Sequence, residues 1–316
     1  MLKWVSISPS KYYTWQKRKD MENQHNGSLP KSHWLLPWEI DAIIAYRRCH
    51  WEEGYRRLSY MMLDEDVVAV SPTSVYRVLK QAGLLARPWQ HSNVKGKGFT
   101  QPTAPHQQWH LDISYINFRN TFVYLVALVD GYSRYLVHHA LRFSVEALDV
   151  EILVERARAK FPGVNPILIS DNGPQFIAKE FKNYLNLVGI THRRTRFYYP
   201  ASNGKIERFF KTCKSEAVRR QSYLSFEDLQ RQLQKYIDNY NHKRLHSSLG
   251  YVTPWDKLQG NENKIFSERK EKLKRAYENR RQSQIINENS FHNLGVVRTT
   301  ERGQKSGPSA ARRSLS

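Results

Sequence analysis

The sequence predicts a mixed α/β sheet with flanking helices, preceded by a small all-α domain. Three observations point there. Over residues 38–85 apolar residues recur at helical spacing, whereas over 109–194 short strand-like runs alternate with helical stretches. A Gly-, Pro- and Lys-rich stretch at 86–104 separates the two patterns and reads as a basic linker. With 40% hydrophobic and 12% aromatic residues, the chain can bury a core, which excludes wholesale disorder.

The elements follow in order. Residues 1–37 are a basic and aromatic segment (Trp4, Tyr12, Tyr13, Trp15, Lys17, Arg18, Lys19) ending in a polar linker, and no helical period is convincing before Trp38. Residues 38–85 hold three short helices. Ile40, Ile43, Ile44 and Arg47 open the first, and Tyr55, Leu58, Met61, Met62 and Leu63 mark the second. The third has Ser71 as N-cap, Pro72 at its first position, Val75, Val78 and Leu79 facing inward, and Gly83 as its stop. Arg77 and Lys80 fall on its other face, which fits a helix-turn-helix DNA-binding module as well as a plain helical bundle.

Residues 105–260 form the larger domain. Strands are expected at 109–116, 122–129, 135–140, 166–170 and 190–194. Helices are expected at 145–161, 178–188, from about Gly204, and at 226–241. In the first strand His110, Asp112 and Ser114 share one side; Leu111, Ile113 and Tyr115 share the other. Residues 261–316 carry 13 Lys plus Arg against 6 Asp plus Glu. They read as a basic, largely disordered tail, with a charged helix over 264–282.

Charge narrows the partner. Fifty Lys plus Arg against 29 Asp plus Glu leave a formal +21, an excess suited to a polyanion such as nucleic acid. Cys49 and Cys213 are far apart, which argues against a disulfide framework or a Cys-rich zinc site. No apolar run is long enough for a membrane span, and no secretory signal is expected, so the reading is a cytoplasmic protein.

Three carboxylates carry the chemistry. Asp112 sits mid-strand, where aspartate is depleted and costly to bury unless paired or bound to metal. Asp171 ends an apolar strand, the place where open α/β sheets hold ligands, although Asp171-Asn172-Gly173 is also good turn chemistry. Glu207 lies near the start of a helix, in Asn203-Gly204-Lys205-Ile206-Glu207; alone it would be a solvated glutamate. Thirty-five residues lie between Asp171 and Glu207.

Taken together, this order and spacing resemble the DDE triad of transposases and retroviral integrases. The chain is most similar to the second-frame, catalytic transposase of bacterial insertion sequences that encode two overlapping reading frames. Gly54-Tyr55-Arg56-Arg57 and Val75-Tyr76-Arg77 resemble that group's helix-turn-helix; Tyr240-Asn241, Arg244, His246 and Thr253-Pro254 resemble the end of its core. Leu245 departs from the pattern, which usually has Pro after the Arg. The resemblance spans residues 38–257 and implies an RNase H-like, five-stranded mixed sheet. It further implies two Mg²⁺ or Mn²⁺ ions held by Asp112, Asp171 and Glu207, with Asp112 bridging both.

Two metal ions ~3.5–4 Å apart can activate one oxygen and stabilise the other in breaking and rejoining a phosphodiester. The implied activity is cleavage at element ends and strand transfer by 3′-OH attack. Lys214, two helical turns after Glu207 on the same face, matches a family position that contacts DNA near the scissile phosphate. Lys205, Arg208 and Lys211 lie on the same helix; Asn203 precedes Glu207 by one turn and could orient it or touch DNA. Arg193, Arg194 and Arg196 form a basic run suited to backbone contacts, and residues 197–200 could stack on an unpaired base. His242 and His246 have no further ligand nearby and read as structural or DNA-facing.

The partners implied are double-stranded DNA, both terminal repeats and target, other copies of the chain on DNA, and a first-frame protein or frameshift fusion to it. The working place is the cytoplasm, on the nucleoid when bound. Two other readings stand beside this one. An RNase H-like nuclease or resolvase without strand transfer would need neither the helix-turn-helix nor Lys214. A catalytically silent, DNA-binding repressor would not need the intact triad. A retroviral integrase proper is disfavoured, because no His-His-Cys-Cys zinc module precedes Asp112.

Overall fold

Ser71, Pro72 and Gly83 punctuate the chain as their chemistry requires. In the computed structural model the Ser71 side chain accepts the Ser74 N–H at 3.2 Å and Pro72 opens α4 (Pro72–Gln81). Gly83 follows with φ 67°, a left-handed conformation that glycine adopts without strain. The structure describes residues 8–17, 34–85, 101–119, 121–195, 203–220 and 222–301, with the backbone alone for 220 and 285–301. Most of the expected linker at 86–104, Arg196, the stacking segment at 197–200 and the tail beyond 301 lie outside these residues.

The helical domain consists of α2 (Pro37–Cys49), α3 (Tyr55–Asp64) and α4. Ile43, Leu58, Met62, Val68, Val70, Val75, Val78 and Leu79 form its core. The inward positions on α4 are those its period predicts, and Arg77 and Lys80 stay exposed on its outer face. Before it, α1 (Pro9–Lys17) is a helix where none was expected; it buries no residue, so no amphipathic stripe marks it in the sequence.

The larger domain is built on one five-stranded sheet of β1 (Gln108–Phe118), β2 (Thr121–Asp130), β3 (Leu136–Arg142), β4 (Ile167–Ser170) and β5 (His192–Arg194). Its order is β3-β2-β1-β4-β5, with β1, β2 and β3 antiparallel and β4 and β5 parallel to β1. This is the RNase H-like arrangement. The β2–β3 turn is fixed by Asp130, whose buried carboxylate accepts the N–H groups of His106, Tyr132 and Ser133 and the Ser133 hydroxyl. The strand β5 is shorter than its apolar pattern, because the Ile190 N–H turns back to Leu185 O instead of joining the ladder.

Helices cover both faces, which is why β2 reads as a continuous apolar run rather than an alternating one. On one face Trp109, Leu111, Val126 and Leu128 pack with α5 (Ala147–Lys160) and α7 (Lys179–Leu187), next to the single turn α6 (Pro174–Ile177). On the other, Ile116, Leu125, Ala127 and Val129 pack with α8 (Gly204–Glu216) and α9 (Phe226–His242). The register Asp112↔Ala127 puts Asp112 on this second face. Shared rungs between β1 and β4 run only from Gln108 to His110. Asp112 lies just past the place where the two strands part.

The residues after α9 fasten it. Asn241 donates to Leu136 O at 3.1 Å and accepts from Leu136 N at 2.9 Å, continuing β3 with a side-chain amide. Arg244 grips Glu216, the last residue of α8, with two hydrogen bonds of 2.8 and 2.7 Å. The departure at Leu245 is absorbed by burial.

Beyond α10 (Pro254–Leu258) the charged helix expected over 264–282 is part of α11 (Glu262–Glu301), a 40-residue helix that returns to the helical domain and runs on to 301 where disorder was expected. Arg269 bonds both carboxylate oxygens of Asp64, at 2.8 and 2.6 Å. Lys272 pairs with Asp66 at 2.7 Å, and Arg280 bonds Glu39 at 2.8–3.0 Å. The charged segment is held by partners more than 200 residues away in the chain.

Candidate active site

Asp112 is the centre of the site. Its Oδ1 accepts the Ile113 N–H at 2.8 Å. Desolvation raises its carboxyl from the usual range to about 7; the charges of Asp171 and Glu207 push the same way, against the Ile113 N–H and Lys214. The structure therefore brings Asp171, Glu207 and Lys214 within electrostatic reach of Asp112.

Asp171 leaves the end of β4, after the fully buried Ser170. Its Oδ1 accepts the Gly173 N–H at 2.9 Å, while Asn172 ties the loop to Thr195 O at 2.9 Å. A side chain at Gly173 would come within 3.2 Å of that oxygen, so the glycine keeps the carboxylate free of a close neighbour. Glu207 rides in the first turn of α8, whose opposite side buries Ile206, Phe209, Phe210 and Cys213. This apolar stripe pins α8 to the sheet and turns Glu207, Lys211 and Lys214 outward together. Partial desolvation raises the Glu207 carboxyl.

Lys214 places its Nζ 4.6 Å from the centre of the Tyr115 ring, beside Asp112. Arg208 and Lys211 are exposed on α8, as are Arg193 and Arg194 on β5. Lys205 differs from its neighbours: it is half-buried, and desolvation and Arg134 lower it to about 8. Neither His242 nor His246 joins the site. The His242 ring packs 5.1 Å from Trp255, and the His246 backbone bridges Val252 while burial lowers its ring to about 4.

His110 is a site residue that the sequence does not single out. It is buried on β1, two residues before Asp112, with Nδ1 3.2 Å from Asn203 Oδ1. Burial and Lys205 hold it neutral, down at about 3. Alternation places His110 beside Asp112, but only the fold brings Asn203 to it.

Among the described residues no three His, Cys, Asp or Glu side chains are already gathered as a metal shell. The donor set nonetheless suits a hard divalent cation: carboxylate oxygens from a strand, a strand's end and a helix, around a half-buried Asp112 to which no described cationic side chain is bonded.

Residues 102–200 and 188–254 each match an integrase core domain family, and these spans include Asp112, Asp171, Glu207 and Lys214. The transposase for insertion sequence element IS904 of Lactococcus lactis is 27% identical over 53% of this chain and 71% of its own. The transposase for IS629 of Shigella sonnei is 23% identical over 79% of this chain and 87% of its own. Residues 102–254 thus carry an integrase core, and the chain is similar to insertion-sequence transposases. Among solved structures, the magnesium complex of the HTLV-2 integrase catalytic core domain, dimeric form, matches with a TM-score of 0.39 and 18% identity, over 48% of this chain and 96% of that chain. Among the described residues no helix is long and apolar enough to cross a membrane.

Proposed function

We propose that this protein cuts and joins DNA at a divalent metal centre held by Asp112, Asp171 and Glu207. The observation that carries the proposal is the half-buried Asp112 carboxyl, raised to about 7 with two further carboxylates near it and, among the described residues, no bonded cation. A buried charge left so is costly unless something of opposite sign binds. Two Mg²⁺ or Mn²⁺ ions would supply activation of the attacking oxygen and stabilisation of the leaving one.

The chain's own residues do the rest. Asp112, on which the charges of the other two carboxylates act, would be the shared donor. Lys214 holds the backbone phosphate nearest the scissile bond, with Tyr115 limiting its swing. Arg208, Lys211, Arg193 and Arg194 extend the basic surface along the duplex, and Arg77 and Lys80 give the helical domain a second grip. Lys205, turned partly inward, serves the site through its charge near His110 rather than by a phosphate contact. Water first frees a 3′-OH at the element end; that 3′-OH then attacks target DNA, so no covalent protein intermediate is needed. The substrates are double-stranded DNA, terminal repeat and target. The working form is an assembly of several copies on DNA, completed by a first-frame protein or a fusion to it.

A pre-cut duplex end incubated with the protein, target plasmid and Mg²⁺ should give joined product, and Asp112→Asn should give none. Hydrolysis of the end without joining would make the protein a nuclease instead. DNA binding without any cutting would make it a repressor.

A further inference from the structure

We propose that His110 is a positioning residue, which sets the spacing between Asp112 and Glu207 through its hydrogen bond to Asn203. The proposal rests on the metal-centre reading above and assigns a residue that the carboxylate pattern leaves out.

The geometry begins at the N-cap of α8. Asparagine at an N-cap ordinarily turns its side-chain oxygen onto the helix's own free N–H groups. Asn203 occupies that place and makes no such bond. Its oxygen instead lies 3.2 Å from His110 Nδ1, which donates to it across 93 residues of sequence. The helix gives up a stabilising local contact in favour of one to the sheet.

That contact runs alongside the catalytic pair. His110 and Asp112 are two apart on one face of β1, about 7 Å. Asn203 and Glu207 are four apart on α8, about 6 Å and one turn. A hydrogen bond between the rear pair therefore fixes the distance and the rotation of the front pair. It acts at the end of α8 nearest Glu207, while Arg244 holds the far end at Glu216.

The surroundings leave His110 little freedom. It is 2% exposed and Asn203 5%. A Cβ added at Gly131 would come within 3.1 Å of His110 Nε2 and of Gln108 O. A side chain there would press the ring out of this pose by a few tenths of an ångström. Gly131→Ala thus pushes on His110 without altering either hydrogen-bonding side chain.

The test is Mn²⁺ binding by the full chain, followed by electron paramagnetic resonance, with thermal unfolding recorded in parallel. His110→Leu should weaken Mn²⁺ binding about 10- to 100-fold, the usual effect of losing a group that orients metal ligands. His110→Asn, which keeps an N–H donor near the Nδ1 position, should recover most of it. Gly131→Ala should fall between the two, and it replaces His110→Leu as the probe should the leucine variant not fold. Combining His110→Leu with Asn203→Leu should be no worse than either alone. Wild-type affinity in His110→Leu and Gly131→Ala, or His110→Asn as weak as His110→Leu, would overturn the positioning role. If wild type and Asp112→Asn bind Mn²⁺ alike, the metal-centre reading itself falls, and this inference with it.

Discussion

Glu39 on α2 and Asp112 on β1 are both acids withdrawn from water, and the molecule treats them differently. Glu39, 2% exposed, accepts bonds of 2.9 and 3.0 Å from Arg280 Nε and one of 2.8 Å from the Leu36 N–H. Its charge is matched, and the pair docks α11 on the helical domain. Asp112 receives a single backbone N–H and faces two more carboxylates. One acid has its partner within the chain; the other has no bonded cation among the described residues. The lesson is that burial of a charge does not by itself mark function. Burial with the compensating charge withheld does.

The largest effect that would break this contrast is at Asp112. Asp112→Asn should abolish strand transfer yet raise the melting temperature of the metal-free protein at pH 7.5, because it removes a desolvated charge bonded to no cation among the described residues. Scanning calorimetry on both proteins decides the second half. A lower melting temperature in the variant would mean that Asp112 is structurally paired after all.

Glu39 should behave in the opposite way. Arg280→Ala should cost about 3–5 kcal/mol, as breaking a buried ion pair does, because Glu39 is left charged and alone. Replacing both, Glu39→Leu with Arg280→Leu, should cost far less. Urea unfolding of the three variants measures it; equal losses from the single and double changes would show that the bond itself, rather than the stranded charge, sets the cost. Strand transfer by the double variant should persist, since neither residue belongs to the site.

The same contrast explains what was legible in the sequence. Local chemistry was plain: Ser71, Pro72 and Gly83 bound α4, and the apolar runs of β1, β2 and β4 appear within a few residues of their places. The proposed triad is read from order and spacing, because each member sits at an element end or strand that local pattern already defines. What escaped depends on pairs distant in sequence. Lys272, Arg269 and Arg280 read only as part of a charged helix until Asp66, Asp64 and Glu39 are set against them. His110 read as a strand residue until the start of α8 was placed over it. Helix α1 escaped for the opposite reason, since it buries no residue among the described ones and carries no imposed pattern.

The smallest effect sharpens the contrast between the two domains through pH. Burial lowers His138 and His192, takes His139 to about 4, and takes His246 to about 4; all four lie in the sheet domain. Each is neutral when folded and free to take a proton near pH 6.5 when unfolded. Their contribution is therefore complete above pH 6.5 and is lost as the pH falls toward 4. Asp112 has the opposite sign: its raised carboxyl favours the folded state as the pH falls through 7. Asp112→Asn removes that opposing slope and leaves the histidines to be read alone. In that background, amide exchange between pH 6.5 and 5, above the range where ordinary carboxylates titrate, should show β2 and β3 losing protection before α3 and α4. His139→Phe should flatten part of the slope. Equal loss in both domains would mean that acid acts on their docking through α11, not on the buried rings.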